Sequence, residues 1–510
     1  MNNLPAWLAD AVFYEIYPQS FQDSNGDGIG DINGMIARLD YIKELGCNAV
    51  WVNPWYDSPF GDAGYDVRDY KKIAPRYGTN EDAKRFFDEA HRRGMHVLID
   101  LVPGHTSIDH EWFKASAKYE RNEYTDRYIW TDNTWSLPEN TAYLRGMYAR
   151  DGVAVANYFS HQPALNYGYA HPDKPWKMAA DSPAALATRE AMKDVMRFWL
   201  DLGTDGFRVD MALKLVKDDD EGRPANIRLW QDFRAFLDKE YPHCAMVSEW
   251  GVPKESIAGG FHMDFMLHFG PPAYTSLFRG ETPFFSKEGK GDITAFLDTY
   301  SAMLASTEGK GLICIPSGNH DMPRLARGRD MRDLKICFAF LLTMPGAPFL
   351  YYGDEIGMRY LAGLSSVEGG YFRTGSRSPM QWEKRTGFGF TSSATSYIPF
   401  DQSADAPTVE EQRANADSLW NAVKELLAVR KAHKALQSFG EFKPFYAEKG
   451  KYPFVYERMA EGERIVVALN PAERETEVPF PLNGKILWKV GGAPKGGTMS
   501  ACSAVVILMR

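Results

Sequence analysis

The chain of 510 residues predicts an α/β fold: a (β/α)8 TIM barrel with an inserted domain after strand 3 and a C-terminal antiparallel β-sandwich domain. Three observations carry this. Eight short β-rich apolar runs alternate with helical patterns, which fits a closed parallel barrel better than its alternative, an open doubly wound sheet. One spacing between runs is far longer than a helical crossover needs. Past residue 436 the pattern changes to short alternating strands with turns.

The runs are AVFYEIYP (11–18), NAVWV (48–52), HVLIDLV (96–102), DGFRVD (205–210), AMVSEW (245–250), MDFML (263–267), GLICIPS (311–317) and APFLYYG (347–353). Helical patterns stand between them, among them EDAKRFFDEAHRRG and REAMKDVMRFWLDLG. Only the helix near 183–202 is needed to cross from the third run to the fourth, so residues 104–172, rich in Tyr, Trp and Asn, form an excursion. Long insertions of this kind are usually functional. The expected division is barrel at 1–103 and 173–436, insertion at 104–172, and a β domain at 437–510.

A formal charge of −9 argues against a nucleic-acid partner, which would want a basic face. No run approaches a membrane span and the first residues show no basic leader, so a cytoplasmic enzyme is expected. The five cysteines, Cys47, Cys244, Cys314, Cys337 and Cys502, form no short-spaced metal pattern, and an odd number argues against a disulfide framework. Oligomeric state is not legible.

The stretch TDGFRVDMAL (204–213) locates the chemistry. Residues i and i+2 of a strand point to one side, so Arg208 and Asp210 reach past the strand end together. A guanidinium beside a carboxylate favours its ionised form, and an ionised carboxylate can be a nucleophile. Alone, the pair would read as a structural salt bridge. Other run ends, however, carry Asp100 and His105, then Glu249, then Asn319, His320 and Asp321, and chemistry in such a barrel sits at the carboxyl ends of the strands. A retaining glycosidase needs two carboxyl groups about 5–5.5 Å apart, one nucleophile and one protonated acid. Asp210 suits the first role, with Arg208 expected to lower its pKa. Glu249, followed by Trp250 and close to the charge of Asp210, suits the second. Asp321 would hold substrate hydroxyls and face the developing positive charge. No Cys/His cluster or serine nucleophile elbow supports a metallohydrolase or an esterase.

DLVPGHTS, GFRVDMA, VSEWG and SGNHDMPR together resemble the four sequence regions of the α-amylase family of glycoside hydrolases, in order and over nearly the whole chain. The resemblance implies Asp210 as nucleophile, Glu249 as acid/base and Asp321 as transition-state stabiliser. It implies sugar binding by Arg208, His105 and His320. In GYDVRDY it implies Tyr65 stacking on the sugar and Asp66 on its outer hydroxyls. GYFRTGSRSPMQW resembles the segment of α-glucosidases, oligo-1,6-glucosidases and trehalose synthases that carries an arginine matching Arg377. That arginine would pair with Asp66 and close the pocket behind one glucose unit. YFSHQPALN resembles their insertion motif, with Tyr158 and Phe159 either lining the pocket mouth or packing in the core.

DSNGDGIGD (23–31) offers side-chain oxygens at Asp23, Asn25, Asp27 and Asp31 and the carbonyl of Ile29. Hard cations take about six to eight such oxygens. Gly34 stands where an EF-hand has its glutamate, and the alternative is a turn rich in Asx residues. The loop resembles the calcium loop of the oligo-glucosidase branch, which implies a structural Ca²⁺, with Mg²⁺ as the other candidate and no organic cofactor.

Three positions depart from the family. Gly104 replaces an asparagine that ligates calcium in α-amylases proper, so no second site is expected. Ala164 replaces an aspartate of the insertion motif. Met211, after the nucleophile, matches neither the small residue of α-1,4-acting members nor the valine of α-1,6-acting ones. The expected function is an exo-acting α-glucosidase on short α-glucosides. Its alternatives are a transglucosidase or glucoside isomerase of the trehalose-synthase kind, an endo-acting α-amylase, and a non-catalytic binding protein on the same fold.

Overall fold

The computed structural model describes residues 4–509 apart from 145, 270–272, 493 and 495–496. All eight runs form strands of one parallel sheet: Phe13–Ile16, Ala49–Val52, His96–Leu101, Gly206–Val209, Ala245–Ser248, Met263–Phe265, Leu312–Cys314 and Phe349–Tyr351. Strands one to seven are neighbours in chain order, and the eighth pairs with the first. A parallel bridge from Pro316 to Phe349 joins the seventh segment to the eighth and closes the barrel. The strands are buried on both faces, which is why they read as unbroken apolar runs rather than alternating ones. Aromatic rings fill the interior: Phe349 stacks on Phe13 at 4.2 Å and meets Phe265 edge-on at 4.7 Å.

The outer helices start and stop where their caps dictate. Asn80–Arg92 opens with a capping box between Thr79 and Asp82 and buries Ala83, Phe86, Phe87 and Ala90. Pro183–Leu202, the crossover after the insertion, is capped by Ser182, has proline in its first turn, and stops at Gly203 with φ 129°. Its wholly buried Met192, Met196 and Trp199 each contribute about 1.5–3 kcal/mol or more by leaving water. Met331–Thr343 is buried from Asp333 onward because it packs between Leu419–Ala432 and the C-terminal sheet.

Within the insertion lie the helix Glu111–Ser116 and a ribbon of Tyr143–Leu144 with Ala154–Val155. Ala164 is wholly buried with Ile129, Val155, Tyr169 and Trp176 in a small core of its own, so a methyl group stands where a carboxylate would be desolvated. The C-terminal strands Glu441–Tyr446, Phe454–Ala460, Glu463–Asn470, Lys485–Val490 and Ser503–Leu508 make one antiparallel sheet. A ribbon of Thr476–Glu477 and Thr498–Met499 supplies the second layer, with Val455, Val466, Val478, Met499, Val505 and Ile507 in one apolar cluster. Phe454, Tyr456, Ile465 and Val467 join the barrel core instead. All five cysteines are free and buried. Among the described residues no helix is long and apolar enough to cross a membrane.

Candidate active site

Strand register sets the first part of the site. Asp100 on strand three stands opposite Arg208 on strand four, and the Arg208 guanidinium reaches three carboxylates. Nη1 donates to Asp100 Oδ1 at 2.7 Å and to Asp210 Oδ1 at 3.0 Å, while Nη2 lies 2.9 Å from Glu249 Oε2. Asp210 and Glu249 thus lie side by side, well within a nanometre. Their backbones extend the parallel ladder, Asp210 N–H donating to Leu101 and Glu249 N–H to Val209. Met211 then turns into the left-handed region at φ 43°, a conformation that costs a non-glycine residue of order 1–3 kcal/mol. The turn aims its N–H at Glu249 Oε2, 3.0 Å away. Sequence patterning carried no sign of that contact.

Electrostatics correct one expectation. Burial first, then the charge on Glu249, push the Asp210 carboxyl well above the usual carboxylate range, and Arg208 only partly offsets them. The arginine was expected to lower it, but its charge is shared with Asp100 and Glu249, and burial outweighs it. Glu249, half-buried beside Asp210, is the like charge that opposes its ionisation.

Asp321 forms the opposite wall. Its Oδ1 accepts from Arg373 Nη1 at 2.8 Å and Arg377 Nη2 at 3.1 Å, and its Oδ2 lies 3.2 Å from His320 Nε2. Burial alone would raise this carboxyl, but His320, Arg377 and Arg373 hold it well below the usual range. His320 in turn stacks on Tyr65 and lies 2.9 Å from Glu15 Oε1 through Nδ1. Burial would lower its pKa, but Asp321 and Glu15 raise it to about 9, so it is a cation at neutral pH. His105 differs: burial pushes it down to about 3. Neutral, it donates from Nε2 to the Tyr65 carbonyl and accepts at Nδ1 from Asn157. Asn157 also takes the ammonium of Lys217, which donates to the Lys214 carbonyl. This cation ties insertion to barrel beside Gly104, where an added Cβ would lie 2.7 Å from the Asn157 amide nitrogen.

The Asp66–Arg377 closure is not what the structure builds. Asp66 is wholly buried and accepts from Ser58 Oγ and from the N–H groups of Gly61 and Asp62. Its carboxylate pins its own loop, away from any sugar. Arg377 holds Asp321 and the His320 carbonyl. The wall is closed instead by Asp62 and Arg373: Arg373 Nη2 is 3.6 Å from Asp62 Oδ1 while Nη1 holds Asp321. Both residues were missed, although Asp62 stands only one helical turn's length before Asp66 and Arg373 lies in the same motif as Arg377.

These groups meet in one cavity of about 580 Å³, lined by Asp62, Tyr65, His105, Asp210, Glu249 and Asp321 among others. Tyr158 and Phe159 of the insertion face Tyr371 and Phe372 of the loop after strand eight around its opening. Tyr158 is 53% exposed and Tyr371 and Phe372 are each 62% exposed, so the core-packing alternative does not hold for Tyr158. Residues 15–438 match the catalytic domain of alpha amylase.

The chain belongs to the α-amylase family.

Its relatives in that family include the trehalose synthase/amylase TreS of Mycolicibacterium smegmatis, 34% identical over 84% of this chain and 77% of that protein. The oligo-1,6-glucosidase of Parageobacillus thermoglucosidasius is 31% identical over 95% of this chain and 93% of that one. Among solved structures, the α-glucosyl transfer enzyme XgtA aligns with a TM-score of 0.82 at 27% identity, covering 99% of each chain. An isomaltulose synthase variant from Erwinia rhapontici aligns at 0.84 and 25% identity over 100% of each. This family member is therefore an enzyme of the glucosidase and trehalose-synthase branch.

The aspartate-rich loop stands apart from the cavity. Asp23 accepts from the N–H groups of Asn25, Gly26 and Gly28 and from Thr391 Oγ1, which occupies about four lone-pair sites. Asn25 and Asp27 each accept from the amide two residues on. Asp31 accepts from Ser24 and caps the helix Ile32–Ala37. In donor type, all oxygen, the loop suits a hard cation. In arrangement, no group of three acidic, His or Cys side chains among the described residues is placed to share one. No step of the chemistry is routed through it.

Proposed function

We propose that this family member is a retaining, exo-acting α-glucosidase on short α-glucosides. One observation carries the reading: Asp210 and Glu249 are held by the two Nη atoms of one guanidinium, on the floor of a pocket whose far wall is bridged by Arg373. In the first step an Asp210 oxygen bonds to the anomeric carbon while Glu249 gives its proton to the departing glycosidic oxygen. In the second, water attacks that carbon, the ester bond to Asp210 breaks, and Glu249 takes the water's proton. The first step needs Asp210 ionised, and Arg208, which donates to its Oδ1, favours that form. Asp321, kept ionised by three cations, faces the positive charge that develops on the ring. The Asp62–Arg373–Asp321 bridge leaves room for one sugar behind the scissile bond, which supports exo action over an endo-acting amylase.

The isomerase reading keeps one specific support. The exposed aromatics at the opening come from two sides, insertion and strand-eight loop, and would hold a released fragment over the glycosyl-enzyme. The deciding experiment is an anomer-resolved product analysis on maltose, isomaltose, sucrose and trehalose. Release of α-glucose from the non-reducing end supports the proposal. β-Glucose as first product, or internal cleavage of longer chains, overturns it, and conversion of maltose to trehalose without free glucose selects the isomerase. A structural Ca²⁺ in the loop 23–31 stays a proposal, supported by its oxygen donors alone.

A further inference from the structure

A second cavity, of about 590 Å³, opens beyond Asp321 and shares His268, Asp321 and Phe372 with the first. Its lining is unlike that of the sugar pocket. Arg279, Arg327 and Arg329 all contribute, and none of the three forms an ion pair with a carboxylate among the described residues. Arg279 donates to the carbonyls of Pro323 and Ser317 and to the Tyr274 hydroxyl. Arg329 donates to the carbonyls of Phe285, Phe278 and Leu325. These neutral acceptors fix the two guanidiniums in place without cancelling their charge. The Arg327 guanidinium makes no hydrogen bond among the described residues; the side chain is exposed, 5.4 Å from the Tyr360 ring centre. The acids nearby do not balance the set. Asp321 is already matched by His320, Arg373 and Arg377, Asp354 near Arg279 is paired with Arg324, and Asp333 near Arg329 is engaged in the capping box of its own helix, which leaves Glu281 on the rim.

Three guanidiniums without an ion pair among the described residues, on a chain of net charge −9, form a local anion trap, and their forked N–H groups suit an oxyanion with several oxygens. The two cavities also meet at Phe372, one of the aromatics around the opening through which a departing or incoming group passes. We infer that this second cavity is an acceptor subsite for a hydroxylated molecule bearing an anion, a phosphate monoester or a carboxylate. The inference rests on the glucosidase reading of the first pocket. In the transfer it describes, an acceptor hydroxyl oxygen bonds to the anomeric carbon, the ester bond to Asp210 breaks, and the hydroxyl proton passes to Glu249. Atoms and charge balance without any further reactant.

The test uses the full chain with p-nitrophenyl α-glucoside as donor and glucose, glucose 6-phosphate or glucuronate as acceptor, products being identified by mass spectrometry. Expected is a transfer yield with at least one anionic acceptor several-fold above that with glucose, falling as salt is raised. Which of the two anions gains decides between phosphate and carboxylate. Arg327→Ala should abolish the preference and leave p-nitrophenol release without acceptor unchanged. Equal yields with all three acceptors, or a preference that survives Arg327→Ala at every salt concentration, overturn the inference. Absence of p-nitrophenol release would instead overturn the glucosidase reading.

Discussion

Arg208 Nη2 lies 2.9 Å from Glu249 Oε2, so the arginine that the strand motif pairs with the nucleophile equally holds the acid. One buried cation thereby sets the spacing of both proposed catalytic carboxyls and neutralises Asp100 behind them. Arg208→Lys should fail as a conservative change, because a point charge cannot span three carboxylates as a planar fork does. Expected is a kcat loss of roughly 10²–10³-fold and a destabilisation of about 3–5 kcal/mol, read by steady-state kinetics and denaturant melts. A lysine variant with near-parental kcat would contradict the shared-cation arrangement.

Asp210→Asn should lower kcat by roughly 10⁴-fold or more. Its melting temperature should equal or exceed the parent's, because burial and Glu249 both oppose ionisation at this position. Glu249→Gln should also be inactive on natural glucosides yet retain the first step on a donor whose leaving group needs no proton, seen as a burst. Activity of Asp210→Asn above a per cent of the parent's would reassign the nucleophile.

His320 carries a pH prediction. Its folded pKa is raised to about 9 from an unfolded value near about 6.5. The stability it contributes is therefore fully present below about 6.5 and is lost as pH rises through about 9. Asp321 has the opposite sign: its depressed pKa makes stability that is present at neutral pH fade as pH falls below the ordinary carboxylate range. Melting curves of parent and His320→Gln should diverge at pH 6 and converge toward pH 10. Parallel curves would remove the charged His320.

Asp62 and Asp66 separate pocket from scaffold. Asp62→Ala and Arg373→Ala should each raise the KM for maltose roughly tenfold, about the worth of one lost hydrogen bond to a charged group. They should also release glucose less selectively from the ends of maltopentaose. Asp66→Ala strands three donors, two of them backbone N–H groups, and should instead cost about 1–3 kcal/mol of stability with KM little changed in the surviving folded fraction. The reverse pattern would restore the Asp66 role that the motif suggested.

For the aspartate-rich loop, a bound structural cation should show as a melting temperature lowered by several degrees in chelator and restored by Ca²⁺. Asp27→Ala should remove that response, since its carboxylate makes one hydrogen bond among the described residues, to Ile29 N–H. An unchanged melting temperature, with no metal by elemental analysis, would leave the loop to its own Asx turns.

The barrel was legible because its determinants are local. An apolar run buried on both faces looks the same wherever it falls, and caps such as Thr79 with Asp82 or Ser182 with Pro183 act within one turn. The convergence of the proposed catalytic trio was legible for a similar reason: Asp210, Glu249 and Asp321 stand at the ends of such runs, and strand ends meet when a barrel closes.

What the chain order could not decide was partnership across the closed barrel. Arg208 pairs two residues ahead by strand geometry, but that it also grips Asp100 and Glu249 follows only from the register of three strands. Asp66 and Asp62 differ by a few positions in one loop, and which carboxylate turns inward to backbone amides and which outward to Arg373 depends on a fold of that loop that no period encodes. The sign of the Asp210 shift is of the same kind, because burial, the leading cause, is a property of everything packed around a residue. Sequence alone thus determined that Asp210, Glu249 and Asp321 arrive at one site, but not that Asp62 and Arg373 join them; the tertiary structure decided that and whom each one faces, since electrostatic partnership falls off over a few ångströms that residue numbers do not measure.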